Sequence, residues 1–317
     1  MTRYIFIGLL LIMFTSCGEE FFSAPIEFDL DEFEPQVSVV GRLTSYESLD
    51  FIDIENINNI SFFISRSKSV IDTASFDVID NAQVSVTDSD GTEVEYFFDE
   101  DSGYYFPANI GTPDVDLIVV KGNTEYSLVV EIPGEELVTA SISTSTFGEL
   151  ASAEIKLNDI KADNNFTLDR LTLDINDPQG KNYYYLRTFY KTNRIGSDGE
   201  VYQEQTQGYI YNVSSVLDSE ASLFTDELFD GQEISLEFWS ERYIGRFSEV
   251  EGQVDPETII INLWTLTEEE YNFRESLRKN NEAVDNPFAE PTVVFSNIEN
   301  GIGVFSLTNV QSLEIKL

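Results

Sequence analysis

Apolar and polar residues alternate in short runs over most of the chain after Gln36, and the runs are separated by Gly, Asn, Asp and Pro. A period of two bounded by turn residues is the signature of half-buried β-strands. Val84 and Val86 alternate with Gln83, Ser85 and Thr87; Asp88-Ser89-Asp90-Gly91 follows, and then Val94, Tyr96 and Phe98. This predicts a hairpin with Asp90-Gly91 at its tip in a type I′ turn. Tyr104-Tyr105 and the set Tyr126, Leu128, Val130 and Ile132 extend the pattern up to Pro133-Gly134. The second half continues with Leu171, Leu173, Ile175; Tyr183 to Tyr190; Ile234, Leu236, Phe238; Ile259, Ile261, Leu263; and Leu313, Ile315, Leu317. No repeat of 20 to 50 residues recurs, which argues against a solenoid or propeller.

One segment has helical spacing. Thr267 with Glu270 three residues later reads as a capping box, with Glu268, Glu269 and Glu270 in the first turn and Arg274, Arg278 and Lys279 later on, matching the helix dipole at both ends. A helix near 267–281 packed on a sheet is the expectation. The fold class is therefore mainly β: an N-terminal Ig-like, regulatory-like β-sandwich over 36–147, then a second β-rich domain over 148–317 that carries the helix.

The beginning of the chain follows a different pattern. Arg3 precedes an apolar run from Tyr4 to Phe14, and Thr15-Ser16-Cys17 follows. Eleven apolar residues are too few for a bilayer-spanning helix, which needs about 20, so residues 1–16 read as a signal peptide. Cys17 is the sole cysteine of 317 residues and stands where the bacterial lipobox places the residue that is lipidated after cleavage. Residues 17–35 then read as lipid anchor and tether: Gly18 to Pro35 holds seven acids and no base, and like charges keep such a linker extended. The acidic pair Glu19-Glu20 resembles a surface-export signal. The implied location is the outer membrane, lipid-anchored and surface-exposed.

Composition narrows the chemistry. Acids number 58 against 18 bases, for a net charge of −40, so nucleic acid and anionic lipid surfaces are repelled. The chain has no histidine, which removes Ser-His-Asp and Cys-His catalysis, His/Cys zinc sites and His-ligated haem. No cofactor is expected. Carboxylate pairs, as in a glycoside hydrolase or another carbohydrate-active enzyme, are the catalytic groups that remain, and 58 acids give no pair preference without geometry.

Three local constellations are candidate sites. Asp88, Asp90 and Glu93 around Gly91 have the oxygen spacing of a fragmentary calcium loop, although Asp-Gly equally serves a hairpin turn. Between Gln179 and Ile195 there are four bases and no acid, interleaved with aromatic residues. Alternation puts Tyr183, Tyr185, Arg187, Phe189 and Lys191 on one face, a candidate ligand or partner surface if that face is open and a core strand if it is covered. Asp72-Thr73-Ala74 resembles a bacterial O-glycosylation acceptor, which makes Thr73 a candidate modification site.

The C-terminal part is the most distinctive: Leu266-Thr267-Glu268-Glu269-Glu270-Tyr271-Asn272-Phe273, then Asn286-Pro287-Phe288-Ala289-Glu290-Pro291, then Ser296-Asn297-Ile298-Glu299-Asn300-Gly301-Ile302-Gly303-Val304-Phe305. Together with Cys17, the Gln36–Gly41 run and Asn81-Ala82-Gln83-Val84, this resembles the DUF4249 family of Bacteroidota lipoproteins. The resemblance implies an outer-membrane lipoprotein, often encoded near a TonB-dependent receptor. It implies no catalytic residue. The functional expectation is a non-catalytic binding or accessory subunit docking with such a receptor, with its ligand unidentified. The two glycines of Asn300-Gly301-Ile302-Gly303 mark a turn or a close backbone approach.

Overall fold

In the computed structural model the described residues are 34–46, 60–69, 74–108, 118–163, 166–195, 201–212, 222–243, 258–284 and 293–317. The segment expected as a signal peptide, Cys17, most of the expected tether, Thr73 and the Asn286–Pro291 run lie outside them. The architecture is mainly β with one helix. Strands β1 (Val37–Tyr46), β2 (Ile60–Arg66), β3 (Asp77–Val78), β4 (Gln83–Asp88), β5 (Glu93–Asp99), β6 (Tyr104–Pro107), β7 (Glu125–Glu131) and β8 (Val138–Ser143) form the first half. The second half comprises β9 (Glu149–Asp163), β10 (Phe166–Asn176), β11 (Tyr183–Ile195), β12 (Val201–Asn212), β13 (Leu223–Thr225), β14 (Glu233–Tyr243) and β15 (Thr258–Leu266), then helix α1 (Glu268–Val284) and β16 (Ile302–Lys316).

Hydrogen bonding runs through one continuous order, β8-β7-β4-β5-β6-β2-β1-β16-β15-β11-β12-β14-β10-β9, with β3 on β2 and β13 on β11. Every pair in that order is antiparallel except β1 with β16, the two ends of the folded chain, which run parallel. The alternation seen in the sequence sets the faces. Val84, Val86, Val94, Tyr96, Tyr126, Leu128, Val130, Val138 and Ile142 all turn into a first core. Leu171, Leu173, Ile175, Tyr184, Leu186, Leu236, Phe238, Ile259 and Ile261 build a second. Such alternation keeps one side of each strand apolar without placing charge in the core.

Along the chain the first core draws on residues up to 147 and the second on residues from 150, but the C-terminal segment serves both. Ile298, Phe305 and Leu307 pack in the first core, while Leu313 and Ile315 pack against the second. Strand β16 thus belongs to both. Its first part pairs with β1, Ser38 opposite Ile302 and Val39 opposite Gly303, and its last part pairs with β15, Ile259 opposite Ile315.

Two local expectations change in the structure. The hairpin tip after β4 is a three-residue loop, with Asp88 N–H donating to the Thr92 carbonyl and only Gly91 at positive φ. A type I′ turn needs positive φ at both central residues, and Asp90 does not adopt it. The helix begins at Glu268 and runs to Val284, so Arg274, Arg278 and Lys279 sit in its middle and no base occupies the last turn. The capping box is also absent. The Thr267 N–H donates to the Leu307 carbonyl at 3.2 Å, which joins the start of the helix to β16, and Glu270 is used elsewhere.

The closing contact of β1 with β16 depends on Gly303. Its φ is +115°, and a Cβ there would overlap the Val39 carbonyl across the strand pair. Gly303→Ala is therefore expected to lower unfolding free energy by at least ~2 kcal/mol, from left-handed backbone strain together with displacement of β1. Urea denaturation of the variant beside the parent measures it, and an unchanged midpoint would contradict the close approach.

Candidate functional site

The richest polar arrangement lies where α1 crosses the β1/β16 pair. Arg42 and Ser306 are register partners, so both side chains leave the sheet on the same face. The first turn of α1 lies above them, and Glu270 descends between them with no solvent exposure. One carboxylate oxygen accepts from Arg42 Nε at 3.1 Å and from Arg274 Nε at 2.6 Å. The other accepts from the Ser306 hydroxyl at 2.7 Å. Thr44 and Thr308, the next pair down the same face, are buried with their hydroxyls 2.8 Å apart. Burial works against ionisation of Glu270, but Arg274 and Arg42, helped by Ser306, outweigh it and hold the carboxyl below its usual range. The cluster is closed, with both acid oxygens engaged, and its evident work is to fasten the helix to the seam between the two halves.

The expected aromatic and basic face of β11 is largely covered. Tyr183 and Phe189 are buried. Tyr183 lies 4.7 Å from the Tyr271 ring of α1, and Arg274 sits over Tyr185 at 4.4 Å. Tyr185 and Arg187 are half-buried, and Lys191 pairs with Glu314 at 2.7 Å. Arg187 donates to Gln207 at 2.6 Å and lies over Phe189, while its Nε is enclosed without a partner among the described residues. The opposite face of the strand, Tyr184, Leu186 and Tyr190, is core. The helix laid over the first residues of the strand closes most of what alternation alone leaves open; among the described residues of β12, Tyr209 stays 66% exposed.

At the hairpin tip, a cation is already present. Asp88 is buried and accepts the backbone N–H groups of Asp90 and Thr92 on one oxygen. Lys121 Nζ reaches its other oxygen at 3.4 Å and Asp90 at 2.7 Å. The Thr92 N–H, and after it Lys121, keep the Asp88 carboxyl below its ordinary value. Glu93 is exposed and does not converge with them. The ammonium of Lys121 thus bridges the carboxylates of Asp88 and Asp90.

A second acid cluster had no sequence signal. Asp177, Asp226 and Asp230 bring carboxylate oxygens within 4.8 Å of one another, the first two buried. Two loops, 177–182 and 226–232, exchange these acids. Asp177 accepts the Gly231 N–H at 2.8 Å and the Tyr184 hydroxyl at 2.5 Å, Asp226 accepts the Asn182 N–H at 2.9 Å, and Asp230 accepts the Gly180 N–H at 2.8 Å. Burial raises the carboxyls of Asp177 and Asp226, and the proximity of acids adds to it. These three are the described residues whose donor set could hold a divalent cation; their present work is to staple two loops. About 50 residues separate Asp177 from the other two, so no local spacing could have shown them together.

Comparison with known proteins gives one family. The family model described as "Domain of unknown function (DUF4249)" matches residues 24–314, nearly the whole chain, and the chain belongs to that family. No curated protein matches it.

The two acid clusters should titrate in opposite senses. Glu270 has a lowered folded-state pKa, so its stabilisation is complete above the unfolded value, about 4.3, and is lost as pH falls through the folded one. Asp226 has a raised one, so the folded state binds its proton more readily, and stability declines as pH climbs from about 3.9 through the folded value. Glu270→Gln should cost about 3–5 kcal/mol at neutral pH, because two guanidinium groups lose a buried counter-charge, and should flatten the acid limb of the stability curve. Asp226→Asn should flatten the higher limb instead. Urea midpoints taken from pH 3 to 8 separate the two, and identical curves for parent and variants would rule the assignments out.

Proposed function

We propose that this DUF4249 protein is a lipid-anchored envelope protein that works by binding and not by catalysis, docking with a TonB-dependent outer-membrane receptor. The observation that carries the anchor is the placement of the only cysteine, Cys17, at the end of the apolar leader and before a base-free acidic segment that leads to β1. Of the described helices, none is long and apolar enough to cross a membrane, so attachment through a lipid suits the body as it stands. Strand β1 begins at Val37, which leaves 17–36 as the length available to hold the body off the bilayer. Twenty extended residues reach at most about 70 Å, enough to meet a neighbouring membrane protein from outside.

Support for binding over catalysis comes from the carboxylates. A glycosidase needs two carboxyl groups facing an open cleft, one of them with a raised pKa. Asp177, Asp226 and Glu269 have raised values; the first two are buried with their oxygens holding Tyr184, Gly231 and Asn182, and Glu269 is half-buried in the first turn of α1. Arg187 and Tyr209, two groups of the β11–β12 ribbon that keep some solvent access, are suited to contact.

Replacing Cys17 by Ser should abolish incorporation of a fatty-acid probe and release the protein from the membrane fraction. Retention on membranes with labelling undiminished would contradict the anchor. For the docking half, the native lipoprotein crosslinked in intact cells should recover a TonB-dependent receptor, and recovery of none would contradict it.

A further inference from the structure

The outer face of the first sheet carries a feature that neither the fold nor the anchor uses. Phe97 of β5 stands opposite Phe106 of β6 in register. The Phe106 ring is 6.3 Å from Tyr104, Tyr104 is 5.2 Å from Phe63 of β2, and Phe63 is 5.9 Å from Phe76 in the loop before β3. Four of these rings are in contact and Phe97 continues them as the register partner of Phe106, so five rings cross three strands and a loop. The two ends lie open, Phe76 at 70% and Phe97 at 54% exposure. A core does not need them, since the inward positions of the same strands, Phe62, Tyr96 and Tyr105, are already filled. A contiguous aromatic patch left at the surface marks an interaction site.

Its surroundings define the occupant. Glu93 and Glu95 share the outward face of β5 with Phe97 and are exposed, and Asp99 stands opposite Tyr104. From Ser69 to Val120 the chain has twelve acids and no lysine or arginine. The bases that bracket this stretch are engaged: Arg66 with Glu135, Lys68 with the Ser75 carbonyl, and Lys121 with Asp88 and Asp90. The patch therefore combines ring faces with carboxylates on β5 and β6, two strands that carry no base of their own. In three places among the described residues the same combination is completed by a base: Arg274 over Tyr185 pairs with Glu270, Arg170 over Trp239 pairs with Asp159, and Lys181 over Tyr183 pairs with Glu268.

We infer that the Phe97–Phe106–Tyr104–Phe63–Phe76 stripe is a docking surface for a basic protein segment, whose arginine and lysine side chains lie over the rings and pair with the acids beside them. Cation–π attraction and the rim carboxylates then act on the same groups. An anionic partner is repelled here, and a neutral sugar gains from the rings alone. The inference rests on the binding reading above and adds the surface and the charge of the partner.

The test titrates the full mature protein, lipidated and held in neutral detergent, with an arginine–serine decapeptide, its glutamate–serine counterpart and cellohexaose. The arginine peptide should bind at one site. Phe76→Ser with Phe97→Ser should weaken it by about tenfold or more, and Glu93→Gln with Glu95→Gln should do the same. Glu154→Gln with Glu233→Gln, which removes equal charge from exposed positions of the far strands β9 and β14, should leave affinity unchanged. Phe76→Tyr with Phe97→Tyr keeps the rings and should retain binding, which separates a lost surface from a damaged fold. Equal weakening by the distant pair, or no response to loss of the rings, would reduce the effect to general attraction by an acidic protein and overturn the inference. Binding of cellohexaose in place of the arginine peptide would overturn it in favour of a sugar. Neither result touches the Cys17 labelling, so the failure of this surface and the failure of the anchor are distinguishable.

Discussion

Everything in this molecule is arranged around the position of β16 between β1 and β15. A strand of fifteen residues extends about 50 Å, long enough for its first half to serve one core and its last part another. Phe305 and Leu307 are committed to the first, and Leu313 and Ile315 lie against the second. Because side-chain direction repeats every two residues, a slip of one position would turn both sets away from their cores together. The close approach at Gly303 pins the register on one side, and the Thr267 bond to Leu307 pins it on the other.

The same strand explains why a buried ion cluster sits where it does. Its partner β1 contributes Arg42, it contributes Ser306, and the helix that precedes it contributes Glu270 and Arg274. Three elements, one of them 228 residues away in sequence, are thereby joined at one carboxylate. A buried ion pair adds little net stability compared with apolar packing, but removing one member is costly. Such a cluster suits a seam whose geometry must be unique. The parallel pairing of the chain's two ends has a further consequence. The chain enters the described fold next to the start of β16, at Ser38 opposite Ile302, so the N-terminal end of that fold is also the end at which it closes.

Much of this fold was legible in the sequence, and the illegible parts share a cause. Strands such as β4, β5 and β7 announce themselves through Val84, Val86, Val94, Tyr96, Tyr126 and Leu128, because burial on one face imposes a local period. The glycine pair at 301 and 303 signalled a close approach correctly, but not to which strand, since parallel pairing between distant segments leaves no local period. Glu270 looked like a cap because a glutamate three residues after a threonine is what a cap requires; its burial depends on Arg42, 228 residues away. Phe189 and Tyr183 were placed on the right face, yet whether that face is open depends on what α1 covers. The aromatic stripe was present as Phe63, Phe76, Phe97, Tyr104 and Phe106 but scattered over four segments, and only strand pairing assembles it.

Scanning calorimetry of the mature protein tests the shared strand most directly, with Val86→Ala probing the first core and Leu236→Ala the second. If β16 unites both cores, the protein melts in one transition whose calorimetric and van't Hoff enthalpies agree, and each substitution lowers that single midpoint. Two resolved transitions, with each substitution moving only its own, would show two independent domains and contradict the role given to β16.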